Sequence, residues 1–185
     1  YSPHTTLRAA ERLYLGALTS YPRTSNQKLS PSIDLRRILE GLKEQEVYAG
    51  FASRLLDRSL LKPRQGKKDD PAHPAIHPTG KKPRRLEKVD SRVYDLICRR
   101  FMASMEDPAV RESTRATVDV KGHIFYLRGS RLVEGGWIEV YGLYFKDKEV
   151  VLPALKIGRK IPIRKIEAPR RLTRPPLRFN PGSLL

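Results

Sequence analysis

The chain has 185 residues, 39% of them apolar, enough for one ordinary domain or two small ones around a buried core. Its 37 lysines and arginines against 20 aspartates and glutamates leave a formal charge of +17, which points to a polyanionic partner and says nothing of fold. No apolar run is long enough to span a bilayer, and the basic residues do not line one amphipathic helix face, so nucleic acid is favoured over an anionic membrane.

Residues 2 to 16 read as a helix, with Ser2 or Thr5 as N-cap, Leu7, Ala10, Leu13 and Tyr14 on one face, and Gly16 as its end. Leu18 to Tyr21 should be a short extended piece. Pro22 fixes its own φ and biases Tyr21 towards an extended backbone, so Thr19 to Asn26 should leave regular structure with its side chains outward. Ser30-Pro31 then reads as a helix start, with Leu35, Ile38, Leu39 and Leu42 following at i, i+3, i+4 and i+7. A third helix is predicted over Val47 to Leu61, burying Tyr48, Phe51 and Leu55.

Lys62 to Arg92 changes character, with ten basic residues, four acidic ones and five prolines, and reads as a loop or linker. Another helix is predicted over residues 90 to 105, capped by Asp90 or Ser91, with Val93, Leu96, Ile97, Phe101 and Met105 inward. Cys98 lies inside it as a buried small residue. Being the single cysteine, it excludes an internal disulfide and a multi-cysteine zinc site and fits a reducing, cytoplasmic setting. Beyond Asp107-Pro108 the period falls to two. Ala116 to Val120 and His123 to Leu127 read as strands about a Lys121-Gly122 turn, and Trp137 to Tyr144, Glu149 to Leu155 and Lys160 to Ile166 as further strands. From Lys156 to Arg178 there are nine basic residues and one acidic, Glu167, which suggests nucleic-acid contact. The chain starts at Tyr1 with no Met or signal peptide and ends on Leu184-Leu185, as a piece cut from a longer protein would.

Chemistry concentrates in two stretches. In Thr19-Ser20-Tyr21-Pro22-Arg23-Thr24-Ser25-Asn26 a phenol and a fixed cation stand two apart, so in an extended segment they face one target, for which an anion is suited. Tyr21 could attack a phosphodiester to give a phosphotyrosyl bond. A free phenol has a pKa of about 10, so roughly one in a thousand is ionised at pH 7 and activation is needed. Arg23 cannot accept the proton, but it can grip a phosphate bidentately. The alternative is a surface turn with a half-buried tyrosine. The second stretch, Ala72-His73-Pro74-Ala75-Ile76-His77-Pro78-Thr79, sets two histidines four apart, but its prolines forbid a regular helix and no third ligand stands nearby. A phosphate contact or a loop-ordering hydrogen bond suits them better than zinc. Arg99-Arg100 reads either as a solvated helix face or as a DNA contact, and Trp137 as core. Gly66-Lys67-Lys68-Asp69 lacks the leading glycine and the hydroxyl of a nucleotide-binding P-loop, so nothing supports ATP use.

Leu13-Tyr14-x-Gly16-x-Leu18-Thr19-Ser20-Tyr21-Pro22-Arg23-Thr24, then Ala72 to Thr79, then Tyr94-x-Leu96-Ile97-x-x-Arg100-Phe101-x-Ala103, then Thr173-x-Pro175-Pro176-x-Arg178-Phe179-Asn180 resemble, in that order, the type IA DNA topoisomerases, closest to their archaeal topoisomerase and reverse gyrase branch. By that resemblance Tyr21 is the nucleophile that becomes linked to the 5′-phosphate of a cut single strand. Arg23 positions the scissile phosphate, and His73 belongs to the Ala-His-x-Ala-Ile motif beside it. Thr24, Ser25, His77 and Arg178 are further candidates for DNA contact. Many members carry Arg where His77 stands, and Ser25-Asn26 departs from the frequent Asp-Ser. The implied fold is α+β: a helical, winged-helix-like tyrosine domain over residues 1–80, a basic linker at 81–92, a helix plus β-rich arch at 93–172 that hinges a gate, and the start of a following domain at 173–185. It also implies Mg2+ held by a Toprim domain outside this chain, single-stranded DNA and the remaining domains as partners, no membrane, and a nucleoid-associated, cytoplasmic enzyme. The rival readings are a non-catalytic basic nucleic-acid-binding module and a basic structural protein of an RNA assembly.

Overall fold

The structure, a computed structural model, describes residues 1–185 except Pro71, Asp147, Pro181 and Leu185. Pro71, just before the second motif, and Leu185 of the apolar terminus therefore lie outside the described residues. Among those residues the fold is α+β, with five α-helices and one two-stranded antiparallel sheet.

Helix α1 (Pro3–Leu15) begins where Ser2 accepts a hydrogen bond from the Thr5 N–H at 3.1 Å and Pro3 supplies a preset φ. Its end differs from the prediction. Gly16 keeps a right-handed backbone, and Ala17 takes the left-handed conformation, φ 57°. The Leu18 N–H returns to Leu13 O at 2.9 Å and the Ala17 N–H to Tyr14 O at 2.8 Å, a Schellman closure built on alanine instead of glycine.

Helix α2 (Leu35–Lys43) starts four residues after the predicted Ser30-Pro31. Asp34 is the cap, accepting from the Arg37 N–H at 3.0 Å, while Ser30 to Ile33 form a turn. Helix α3 (Glu46–Leu56) stops short of Leu61 because Arg36 takes over its open end, donating to Leu56 O at 3.0 Å and Arg58 O at 2.5 Å. Helix α4 (Lys88–Ala103) is preceded by Glu87. Asp90, expected as a cap, is buried instead and receives both Arg12 Nε, at 2.9 Å, and Arg12 Nη2.

Strands β1 (Val110–Val120) and β2 (His123–Glu134) are longer than predicted and meet at Lys121-Gly122, whose φ values of 51° and 84° make a two-residue turn that twists with the strands. The predicted strand at 137–144 is helical: α5 (Trp137–Tyr141) runs into a 3₁₀ turn at Gly142–Tyr144. Gly136, at φ 48°, reverses the chain, and Val140 is wholly buried while its carbonyl accepts from Arg99 Nη1 at 3.0 Å. Its aromatic residues looked like a strand, but the contact with α4 selects a helix. Glu149 to Leu155 keeps only one bridge, Val150 to Ser130, and Lys160 to Ile166 forms no strand; Pro153 and Pro162 each remove a ladder donor. The β-rich character predicted beyond residue 107 reduces to this hairpin.

Two compact units result: residues 1–110 with 133–147, and residues 111–132 with 148–185. The core of the first joins Ala9, Ala10 and Leu13 of α1, Leu39 and Leu42 of α2, Ala52 and Leu55 of α3, and Cys98 and Met102 of α4. Trp137 packs against it, half-buried. Arg99 is no solvated residue: it is buried, and its Nε lies 3.0 Å from Asp95. The second unit carries the basic run, exposed and without regular structure from 159 onward.

Candidate nucleic-acid interface and active site

The Ala17 reversal sends Leu18 to Ser20 back along the end of α1, where they pair with His77 to Thr79. Ser20 N–H donates to His77 O at 2.9 Å, Thr79 N–H to Leu18 O at 3.0 Å, and the His77 N–H to Ser20 Oγ at 3.0 Å. The Thr79 hydroxyl donates to Ala17 O at 2.8 Å, and buried Pro78 closes the strap. On its other side the loop lies against α2 with only glycines between. A Cβ on Gly41 would collide with the Gly80 carbonyl, and one on Gly80, at φ 87°, would stand 3.0 Å from Ile38 O. The two motifs, about fifty residues apart in sequence, thus become neighbouring segments of one surface.

That strap leaves Tyr21 between two rings. Its centroid is 5.3 Å from that of Tyr14, edge to face at 72°, and 5.3 Å from that of His73, tilted by 36°. It remains 37% exposed, and among the described residues nothing hydrogen-bonds its hydroxyl. The ring is fixed by its faces while the oxygen is free, as an attacking atom requires. Arg23 is held from α1, its Nε and Nη2 donating to one oxygen of Glu11 at 3.1 and 2.7 Å. Glu11 pushes the guanidinium pKa further above its ordinary value, by the hydrogen bonds first and by charge second, so Arg23 stays cationic. The remaining Nη1 edge is open. Glu11 was not visible in the sequence; twelve residues from Arg23, it comes near only because the chain reverses at Ala17.

Thr24 and Asn26 act behind this face. The Thr24 hydroxyl donates to His73 O at 3.3 Å and accepts from the Asn26 N–H at 3.0 Å, while Asn26 Nδ2 donates to Asp70 O at 2.7 Å and to His73 O at 2.8 Å. They set the His73 backbone. Ser25 and His73 are exposed. His77 is half-buried with Nδ1 2.9 Å from Ala75 O, so a proton on Nδ1 leaves Nε2 as the lone-pair side. Tyr21, Arg23, Thr24, Ser25, His73 and His77 are therefore brought together in the first unit, whereas Arg178 lies exposed in the second. Among the described residues no group of three or more His, Cys, Asp and Glu could hold a metal ion, and Glu11 is paired with Arg23. No described helix is long and apolar enough to cross a membrane.

Residues 1–185 match the family described as DNA topoisomerase. DNA topoisomerase 1 of Pyrococcus horikoshii is 43% identical over 187 residues, covering all of this chain and 27% of that protein. DNA topoisomerase 1 of Methanocaldococcus jannaschii is 44% identical over 186 residues, all of this chain and 24% of its own length. DNA topoisomerase 3 of Dictyostelium discoideum is 30% identical over 97% of this chain and 22% of its own. The chain thus spans about a quarter of the length of these relatives, and it belongs to the type IA DNA topoisomerase family.

Proposed function

We propose that this chain is the strand-cleaving and gate portion of a type IA DNA topoisomerase, with Tyr21 as nucleophile. The Tyr21 oxygen attacks the phosphorus of a single-stranded phosphodiester, its proton passing to a base supplied outside this chain. The 3′ oxygen leaves and is protonated, and the 5′-phosphate remains on Tyr21. Rejoining reverses each transfer. The observation that carries this reading is the presentation of Tyr21: its ring is held between Tyr14 and His73 at 5.3 Å, its hydroxyl is open, and Arg23 is oriented two residues away.

In this reading the open edge of Arg23 takes a non-bridging phosphate oxygen and stabilises the charge that grows there. His73 stands against the same phosphate, Ser25 bounds the strand path while Thr24 supports it by holding the His73 backbone, His77 meets a neighbouring phosphate as the imidazolium by donating from Nε2–H while Nδ1–H keeps Ala75 O, and Arg178 of the second unit is a further DNA contact. The helical part would be the winged-helix-like tyrosine domain, residues 1–80, followed by the 81–92 linker, the arch at 93–172 and the start of a next domain at 173–185. Mg2+ and its acidic ligands would come from a Toprim domain of the parent protein. Alone, the chain should bind DNA weakly and leave supercoiled plasmid unrelaxed.

The test mixes the chain with a Toprim domain, Mg2+ and end-labelled single-stranded DNA, then denatures the protein. Label retained by the wild type and lost in Tyr21→Phe supports the assignment. Label retained by the Phe variant refutes it, and DNA binding with no covalent product from any variant favours a non-catalytic basic module.

A further inference from the structure

Apart from the tyrosine face, the first unit contains a cleft of about 570 Å3 walled by Phe101 and Trp137 and flanked by Arg64 and Arg100. We infer that this cleft is a base subsite for single-stranded DNA, taking a nucleobase against Trp137 while Arg64 and Arg100 hold the adjoining phosphates. It rests on the topoisomerase reading only for the identity of the ligand, since no part of it requires Tyr21 to react.

Three observations select this occupant. The volume suits one nucleobase with its sugar, within the 300 to 1,000 Å3 typical of small-ligand sites, roughly. The charge in the cleft is net positive: Glu106, the one carboxylate on its wall, is already neutralised by Arg54 at 2.8 Å and Arg58 at 2.9 Å, whereas Arg64 and Arg100 are exposed and have no carboxylate partner among the described residues. Arg100 lies 5.3 Å over the ring of Tyr141, so cation and aromatic surface already adjoin there, as in stacking platforms for single strands. The cleft is also continuous with the tyrosine loop. Ile76 on its wall is three residues after His73, hence at most about 10 Å of chain away, no more than roughly three stacked nucleotides at the 3.4 Å rise of one strand. A strand lying across Tyr21 and His73 can reach the cleft without leaving the surface of this unit.

Trp137 is the chain's single tryptophan, so its emission reports the cleft alone. The full chain is titrated with a short oligothymidylate at low ionic strength, following tryptophan emission and, separately, the anisotropy of a labelled oligonucleotide. The inference predicts saturable quenching that tracks the anisotropy and persists in Tyr21→Phe. Arg64→Gln and Arg100→Gln should each flatten the salt dependence by about one unit of slope, more than Arg8→Gln, an equal loss of charge on the exposed side of α1. An abasic oligonucleotide should bind about 5- to 150-fold more weakly, the loss of one stacked base, and leave the emission unquenched. Saturating anisotropy with unchanged emission, or Arg64 and Arg100 variants no different from Arg8→Gln, would overturn the inference. Because these readouts need no covalent product, a failed subsite and a failed assignment of Tyr21 give different results.

Discussion

At the scale of single residues, the site depends on how Arg23 is held. One oxygen of Glu11 occupies its Nε and Nη2, so the pair fixes a plane and leaves an edge for phosphate. Glu11→Ala should slow strand cleavage by roughly ten- to a hundredfold, because a misdirected cation no longer meets the phosphate, with thermal stability little changed since the pair is solvent-screened, Arg23 exposed and Glu11 half-buried. Glu11→Gln, which keeps an accepting oxygen, should recover most of the rate; equal loss in both variants would show that charge and not orientation matters. Ala17 is a second single-residue device. Its exposed methyl sits in a left-handed backbone, so Ala17→Gly should stabilise the protein by about 1 kcal/mol in denaturant titration, relief of the Cβ clash outweighing the added freedom of the unfolded chain. The sequence made Tyr21 and Arg23 candidates through their spacing, and composition marked Gly16 as the helix end. It could not show that the next residue bears the strain, since Gly16 and Ala17 compete for one position and the Schellman register decides between them.

At the scale of elements, helices were legible where a cap and an apolar stripe coincide, as in α1 with Ser2 and the face through Ala10 and Leu13. The segment at 137–144 was misread because Trp, Ile, Val and Tyr favour strands locally, whereas burial of Val140 and its carbonyl bond from Arg99 are tertiary facts. The hairpin was legible from its Lys-Gly turn, and the further strands failed at prolines. Gly41, mid-helix, gave no signal at all: its role is to let α2 approach the Gly80 carbonyl and so seat the loop that carries His73 and His77. Gly41→Ala should therefore cost more than about 2 kcal/mol, or push the loop away and weaken DNA cleavage while α2 persists by circular dichroism. Wild-type stability and cleavage in Gly41→Ala would remove that role.

At the scale of the whole molecule, the helical unit is held by a core that includes titratable groups. Burial pushes the Cys98 thiol up to about 12 from an ordinary 9, and raises the phenols of Tyr48 and Tyr94 likewise. A pKa raised in the folded state means the unfolded chain loses its proton first. The contribution of these groups to stability should be flat below about pH 9 and fall as pH rises from there towards about 12, by up to about 1.4 kcal/mol per pH unit for Cys98 alone. Cys98→Ala should make that alkaline slope shallower in denaturant titrations. The charge of +17 was legible from composition as a polyanion partner, and the comparisons place the chain in a DNA topoisomerase family. The joining of two motifs into one surface was legible only through resemblance, because pairing of 18–20 with 77–79 depends on a long-range strap that neither stretch encodes alone. The most direct test of Tyr21 is to trap the covalent complex, formed with a Toprim domain and Mg2+ on DNA labelled at either end, and to map the attached nucleotide by peptide mass spectrometry. 3′-Labelled DNA should travel with the protein, and the adduct should lie on Tyr21. Retention of the 5′-labelled piece, or an adduct on Ser20, Thr24 or any other residue, would contradict it.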